Sequence, residues 1–339
     1  MQDTQRGALD KDLRSPYTER WSLGIQRELL SGILLDGSYV GSESHKLTTW
    51  EQVNPKQADG SRLYPNFGVR RIRTSHGNSS YHSMQWRVER RFGRQFQAAA
   101  SYTWSRNIDS VSEGVGIGSS QSSLAASASA AERGWRLDRG PSDYDRPHRL
   151  TIYYTWSVPA PTSGFWRLPL SGWSISGITT FQSGAPFTVL NGSDRNGDGT
   201  AGDRPDISNP KAPLNTRAIH TLLGVCSTGY LNPDSGSCVS PGDVHWIEGV
   251  GPPNASTVGR NTLHAGSINN FDVSVSRSFR IGENHKLEFR GEAFNVFNHP
   301  QYSQIPDSRT VFDSATVPQP GVASRFLNRD FTDSGTRSV

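Results

Sequence analysis

Residues 151–158 read Thr151-Ile152-Tyr153-Tyr154-Thr155-Trp156-Ser157-Val158, and the period of this stretch decides the fold class. Successive side chains of a strand point to opposite faces, so Ile152, Tyr154, Trp156 and Val158 lie on one side and Thr151, Tyr153, Thr155 and Ser157 on the other. Upstream, Phe96, Ala98, Ala100, Tyr102 and Trp104 share a face in the same way. Downstream, Phe271-Asp272-Val273-Ser274-Val275 alternates again. Trp21, Leu23 and Ile25 begin the series, and Met84, Trp86 and Val88 continue it. In Leu287-Glu288-Phe289-Arg290-Gly291-Glu292 the polar face carries three charges, Glu288, Arg290 and Glu292. Such a face would be costly in a dry sandwich core but suits a water-filled lumen.

The spacing of these segments is as informative as their period. They come in pairs near 17–30 and 32–44, 80–92 and 94–108, 147–159 and 171–190, and 268–281 and 285–299. Ser31-Gly32, Gly93-Arg94 and Gly282-Glu283-Asn284 join three of the pairs tightly. Long polar gaps near 45–79, 110–146, 191–266 and 300–330 separate or follow the pairs. Short turns alternating with long loops are the pattern of an outer-membrane β-barrel, with the turns in the periplasm and the loops outside the cell. Each run is near or above the ~10 residues with which a tilted strand crosses a bilayer. Soluble sandwiches usually have shorter strands. The expectation is an all-β, antiparallel, up-and-down meander of about eight strands, part of a transmembrane barrel. Residues 1–15 read as a polar lead-in and 16–339 as the partial barrel. Trp21, Trp86, Trp104, Tyr154, Trp156, Phe271 and Phe289 are the expected lipid-facing aromatics.

Composition agrees. Only 33% of the 339 residues are hydrophobic, yet there are 9 Trp, 10 Tyr and 14 Phe. The mean hydropathy is -0.59. A wall in which every second residue meets lipid, ringed by aromatics, has this balance. No apolar run approaches the ~18 residues of a membrane helix. The opening MQDTQRGALDKDLRSP has no apolar signal-peptide core. An outer-membrane chain needs export, so this reads as the C-terminal piece of something longer. The net charge of +4 is mild, and Arg87, Arg90, Arg91 and Arg94 are spread along strands without a nucleic-acid motif. No nucleic-acid partner is expected.

The long gaps hold the other candidates. Gly114-Val115-Gly116-Ile117-Gly118 lacks the following helix and the Lys-Ser/Thr pair of a phosphate loop. Cys226 and Cys238 are the chain's two cysteines, and they read as a loop staple in an oxidising compartment. Closing such a loop stabilises by about 3 kcal/mol in the chain-entropy description. His220 and His245 make no recognised metal-ligand spacing with them. Asp194-x-Asn196-x-Asp198-Gly199 matches the start of a Ca²⁺ loop, but the twelfth position is Pro205 instead of Glu. Asp203 or Asp206 is the substitute ligand in the calcium reading. The other reading is a solvated Asp/Asn/Gly turn.

Four strings are more specific than the rhythm: Asp145-Arg146-Pro147-His148-Arg149-Leu150, Ser183-Gly184-Ala185-Pro186-Phe187-Thr188-Val189, Asp194–Asp206, and Phe294-Asn295-Val296-Phe297-Asn298-His299-Pro300-Gln301. In this order they resemble the C-terminal barrel portion of TonB-dependent receptor-like proteins of the Oar type. The resemblance spans roughly residues 15–335 and implies about eight of roughly twenty-two barrel strands. The family's regulatory-like domain, plug and TonB-contacting segment have no counterpart here, and Phe331–Val339 looks like the lead-in to a last strand.

The resemblance implies wall and surface loops of a receptor or transporter barrel. Substrate uptake and TonB contact would belong to a full-length parent. The partners implied are outer-membrane lipid, the parent's remaining strands and its plug. No catalytic constellation is present, and His148 and His299 read as interfacial hydrogen-bonding residues. No cofactor is expected beyond the candidate calcium. Two rivals remain: a secreted β-rich adhesin or glycan-binding module, and a complete small eight-stranded pore.

Overall fold

The computed structural model describes residues 6–30, 32–54, 60–92, 95–112, 138–191, 203–221, 225–249, 256–281 and 285–300. Eight long strands form a wall: β1 (Tyr17–Leu30), β2 (Ile33–Gln52), β3 (Arg70–Phe92), β4 (Phe96–Asp109), β5 (His148–Ser157), β6 (Trp173–Gln182), β7 (Ile268–Ile281) and β8 (His285–Ala293). Each pairs antiparallel with its neighbour in sequence, so the wall is an up-and-down meander. Gly32 takes a φ of 79° in the tight β1–β2 turn, a conformation glycine adopts without steric cost. The β5–β6 connection is longer and carries one helical turn, Arg167–Leu170. Among the described residues β1 and β8 are open edges and do not pair with each other.

Three expected boundaries need correction. The connection placed over 45–79 is shorter, because β2 runs to Gln52 and β3 starts at Arg70. These strands have 20 and 23 residues, about twice the length a bilayer needs. Beyond Tyr17↔His45 and Ser79↔Asp109 they pair, among the described residues, only with each other and with residues 6–9. Free of a two-faced environment, this part need not alternate. Register shifts flank Leu47, and hydroxyls hold the ladder, with Thr49 Oγ1 2.9 Å from Thr74 Oγ1 and Thr74 donating to Glu51. Nor are residues 1–15 only a lead-in, since Arg6–Leu9 adds a parallel strand to Arg70–Arg73.

The third correction concerns 191–266, expected as one loop. It carries short strands: Asp206–Ile207, Arg217–His220, Tyr230–Leu231 and Trp246–Ile247 form one small sheet, and Leu263–His264 pairs with Pro186–Phe187. Phe187, Val189, Trp246 and Val258 make a buried apolar cluster here, joined by Ile207 and Leu263. Strands of two to four residues show no period in sequence. Residues 113–137 and 301–339, which hold most of the loops expected over 110–146 and 300–330, lie outside the described residues.

Glycines position large rings on one face. Gly37 lies directly opposite Trp86, Gly41 opposite Trp21, and Gly177 opposite Tyr154. A Cβ at Gly37 would sit 2.6 Å from the Trp86 ring, and one at Gly177 would sit 2.6 Å from the Tyr154 hydroxyl. The aromatic ring thus packs on bare backbone, a device that fills the gap left by a strand glycine. Gly37→Ala is expected to destabilise by about 1–3 kcal/mol through overpacking. Gly291→Ala, where nothing lies within 4 Å, should change stability by less than about 0.5 kcal/mol. Urea midpoints of the refolded proteins in detergent check the difference.

Candidate functional site: two faces and a cap

Directly opposed residues of a ladder share a face, so the register sorts every wall side chain. One face collects Leu23, Tyr39, Met84, Trp104 and His148 in a single cross-strand row. A parallel row runs Leu35, Val88, Ala100, Ile152, Thr179 and Phe271. All seven aromatics singled out from the sequence fall on this face. The opposite face runs Gln26, Asp36, Arg87, Ser101, Thr151, Thr180 and Asn270 in one row. It also carries Glu288, Arg290 and Glu292, linked by ion pairs of 2.9 and 3.7 Å.

The apolar face is bare. Leu23 is 71% exposed, Ile25 72% and Phe289 61%, with nothing among the described residues packed over them. Aromatics gather toward both ends of it. Toward the tight turns stand Trp156, Trp173, Phe279 and Phe289, with the Arg277 guanidinium over the Trp173 and Phe279 rings. Toward the long connections stand Trp21, Tyr39, Trp104 and Phe271, the last edge-on to Phe181 and to Phe297.

The motif strings fold into the ends of the strands. Asp145 is buried, accepts the Asn107 backbone N–H at 2.7 Å and pairs with Arg106 at 3.3 Å, so it fixes the entry to β5 against β4. Burial lowers the pKa of the adjacent Arg146 guanidinium, while Asp145 and Asp143 pull it back up. His148 donates its backbone N–H to the Ser183 hydroxyl at 3.1 Å, and its carbonyl accepts the Ser183 N–H, where the chain turns out of β6. Phe187 and Val189 then plunge into the cap core. Asn295 holds a φ of 48°, accepts from His299 N–H, donates to its carbonyl, and is tied through its own N–H to Asp272 Oδ1. This turn ends β8 and presents Phe297.

The cap is locked to the wall by buried polar groups. The Arg260 guanidinium is 1% exposed, ion-paired with Asp109 at the end of β4, and donates to the Asp109 carbonyl at 2.6 Å. Asn261 donates to the Pro141 carbonyl and to Asp143, and its N–H is accepted by Thr188. Arg204 pairs with the buried Asp138 at 3.2 Å. None of these pairs was read from the sequence, because partners up to 151 residues apart leave no local signal.

Two recesses open beside the hydroxyl-rich face. One of about 370 Å³, at the long-connection end, is lined by Ser44, Ser79, Asn107, Asp109, Ser112 and Tyr144 among others. Another of about 350 Å³ lies between β5, β6 and β7 near Tyr153, Ser176, Asp272 and Glu292. Cys226 and Cys238 form a disulfide that closes the loop containing the short strand Tyr230–Leu231. Of the candidate calcium ligands, Asp194, Asn196 and Asp198 lie outside the described residues. Asp203 is buried, and its carbonyl accepts Asn191 N–H at 2.6 Å. Among the described residues no three His, Cys, Asp or Glu side chains converge as a metal site.

Residues 2–326 match a family described as an outer membrane beta barrel domain. Among solved structures, the outer membrane transporter YddB from Escherichia coli aligns over 90% of this chain and 32% of its own, at 11% identity and a TM-score of 0.47. The FrpB iron transporter from Neisseria meningitidis aligns over 94% and 31%, at 10% identity and 0.40. P. aeruginosa FpvA, solved with bound pyoverdines, aligns over 86% and 25%, at 10% identity and 0.38. The chain spans a third or less of the length of these structures. No curated protein matches the sequence at a significant level.

Proposed function

Because the chain belongs to the outer membrane beta barrel domain family and so resides in the outer membrane, we propose that it is one sector of the wall of a TonB-dependent receptor-like barrel. Its apolar face meets lipid, its hydroxyl-rich face lines the lumen, and its cap and long connections lie outside the cell. Solute binding or uptake then belongs to the assembled barrel, with further strands and a plug, and the reading is a non-catalytic one. The observation that carries it is the pairing of a bare, strongly apolar face with a polar face on the same open sheet. In water an uncovered apolar face this large invites association. In lipid it is solvated, while the open backbone edges of β1 and β8 cost several kcal/mol per unpaired group until other strands cover them.

The chain expressed alone is therefore expected to fold as an open sheet or to associate through its edges. Reconstituted in planar bilayers, it should give no discrete, steady conductance. A heat-modifiable monomer that conducts stably would overturn the sector reading and establish a complete eight-stranded pore instead. Recovery of the exported chain as a water-soluble monomer would establish the adhesin reading.

A further inference from the structure

The apolar face ends, toward the long connections, in a band that is titratable as well as aromatic. Tyr39 on β2 and His82 on β3 sit diagonally across the ladder, with hydroxyl to Nδ1 2.8 Å and rings 17° from parallel. Tyr102 on β4 and His148 on β5 repeat the arrangement, at 2.8 Å and 14°. The ring centroids are 6.2 Å apart in both dyads. Tyr17 on β1 and His45 on β2, directly opposite each other further out, lie 5.1 Å apart with rings tilted by 34°. An interfacial girdle requires only Trp and Tyr. Three histidines, each set against a tyrosine, add a charge that ordinarily changes between pH 5 and 8.

The fixed charges around these rings make that change decisive. Arg106 of β4 lies directly opposite His82 and is paired with Asp145. Glu43 of β2 is 3.6 Å from His45, and Glu19 of β1 is directly opposite Glu43. Lys46 sits over the Tyr17 ring. β6 brings only the uncharged Phe181 to this side of β5, opposite Leu150. With the imidazoles neutral, these groups carry one net negative charge. With all three protonated, they carry two net positive charges.

We propose that this band is a pH-dependent contact for the phosphates of anionic lipid headgroups, in the leaflet on the side of the long connections. The inference rests on the lipid-facing reading above. The neutral dyad is held by one hydrogen bond, either from the tyrosine hydroxyl to an unprotonated Nδ1 or from Nδ1–H to the tyrosine oxygen. In the imidazolium both ring nitrogens donate, so the tyrosine oxygen becomes the acceptor and its O–H turns outward. His148 Nε2 is exposed and has no partner among the described residues, while His82 Nε2 has only Ser80 Oγ at 3.2 Å. Protonation thus supplies one new outward donor per dyad together with a positive charge on the ring, and charge-assisted bonds to phosphate are the stronger kind.

The test is electron spin resonance of the full chain in phosphatidylcholine vesicles. Spin-labelled phosphatidylglycerol and spin-labelled phosphatidylcholine are compared at about pH 5.5 and about pH 7.5, on either side of the ordinary histidine range. The preference of the protein-restricted lipid for phosphatidylglycerol should rise about threefold or more on acidification. The rise should fall away in roughly molar salt, where the screening length is about 3 Å. It should fall by about half or more in His82→Gln/His148→Gln, which leaves only His45, and be reduced in Tyr39→Phe/Tyr102→Phe, which keeps the rings and needs no change of fold. Equal preference at both pH values, or an undiminished rise in the double glutamine variant, overturns the headgroup contact and leaves the lipid-facing reading intact. No restricted component with either lipid overturns both.

Discussion

Lysine at Ile152 is expected to cost about 2–4 kcal/mol of stability in a bilayer, the penalty for a cation on the lipid face near the midplane. Ile152 lies midway along β5, between His148 and Trp156, and its row continues into Ala100 and Thr179, neither of which can hydrogen-bond an ammonium well enough to offset its desolvation. Lysine at Thr151 should cost less than about 1 kcal/mol, since its cross-strand neighbours Ser101 and Thr180 belong to the hydroxyl-rich face. Unfolding from lipid vesicles by urea measures both. Nitroxides at 152, 154 and 156 should be relaxed by a lipid-soluble quencher, and those at 151, 153 and 155 by a water-soluble one. Equal accessibility of the two sets would remove the basis for a membrane wall.

Arg260→Met is expected to release the cap at a cost of about 3–5 kcal/mol, because it strands a buried carboxylate. Asp109 is 3% exposed, and without Arg260 its oxygens retain the Ser112 hydroxyl among the described residues. The Gly140 and Asp109 carbonyls lose the same donor. Amide exchange at 186–191 and 258–265 should quicken, and proteases should cut the connection well before the wall strands. Arg260→Met combined with Asp109→Leu should recover much of the loss, since an apolar pair of similar size leaves no charge unmet. If the single variant exchanges and cleaves like the parent, the cap is held by its Phe187–Trp246 core and the ion pair is incidental.

The wall was legible in the chain because each of its strands is read against two solvents at once. Ile152 alternates with Thr151 and Tyr153 for the same physical reason that Phe289 alternates with Glu288 and Arg290: one side must be apolar and the other polar. Where that constraint lapses, legibility lapses. β2 past His45 and β3 before Ser79 pair outside the two-faced region, so their hydroxyl-rich stretches resemble a loop by composition. Lys46 even adopts a φ of 59° there. The cap strands are shorter than the period needed to recognise them, and their core is assembled from Phe187, Val189, Trp246 and Val258, spread over 72 residues of Pro- and Gly-rich chain.

Local pattern alone thus specified the all-β class, the meander order, the sharing of one sheet face by the seven aromatics and the pairing of the only two cysteines, since each depends on neighbours within a strand or a turn. Packing in three dimensions settled what depends on distance. It set Trp86 over Gly37 and Tyr154 over Gly177, buried Arg260 against Asp109, drew the tyrosines and histidines of successive strands into one band, and left the β1 and β8 edges unpaired among the described residues. These contacts join residues tens to more than a hundred positions apart. The free energy of each exists only once the ladder register has brought its partners within reach.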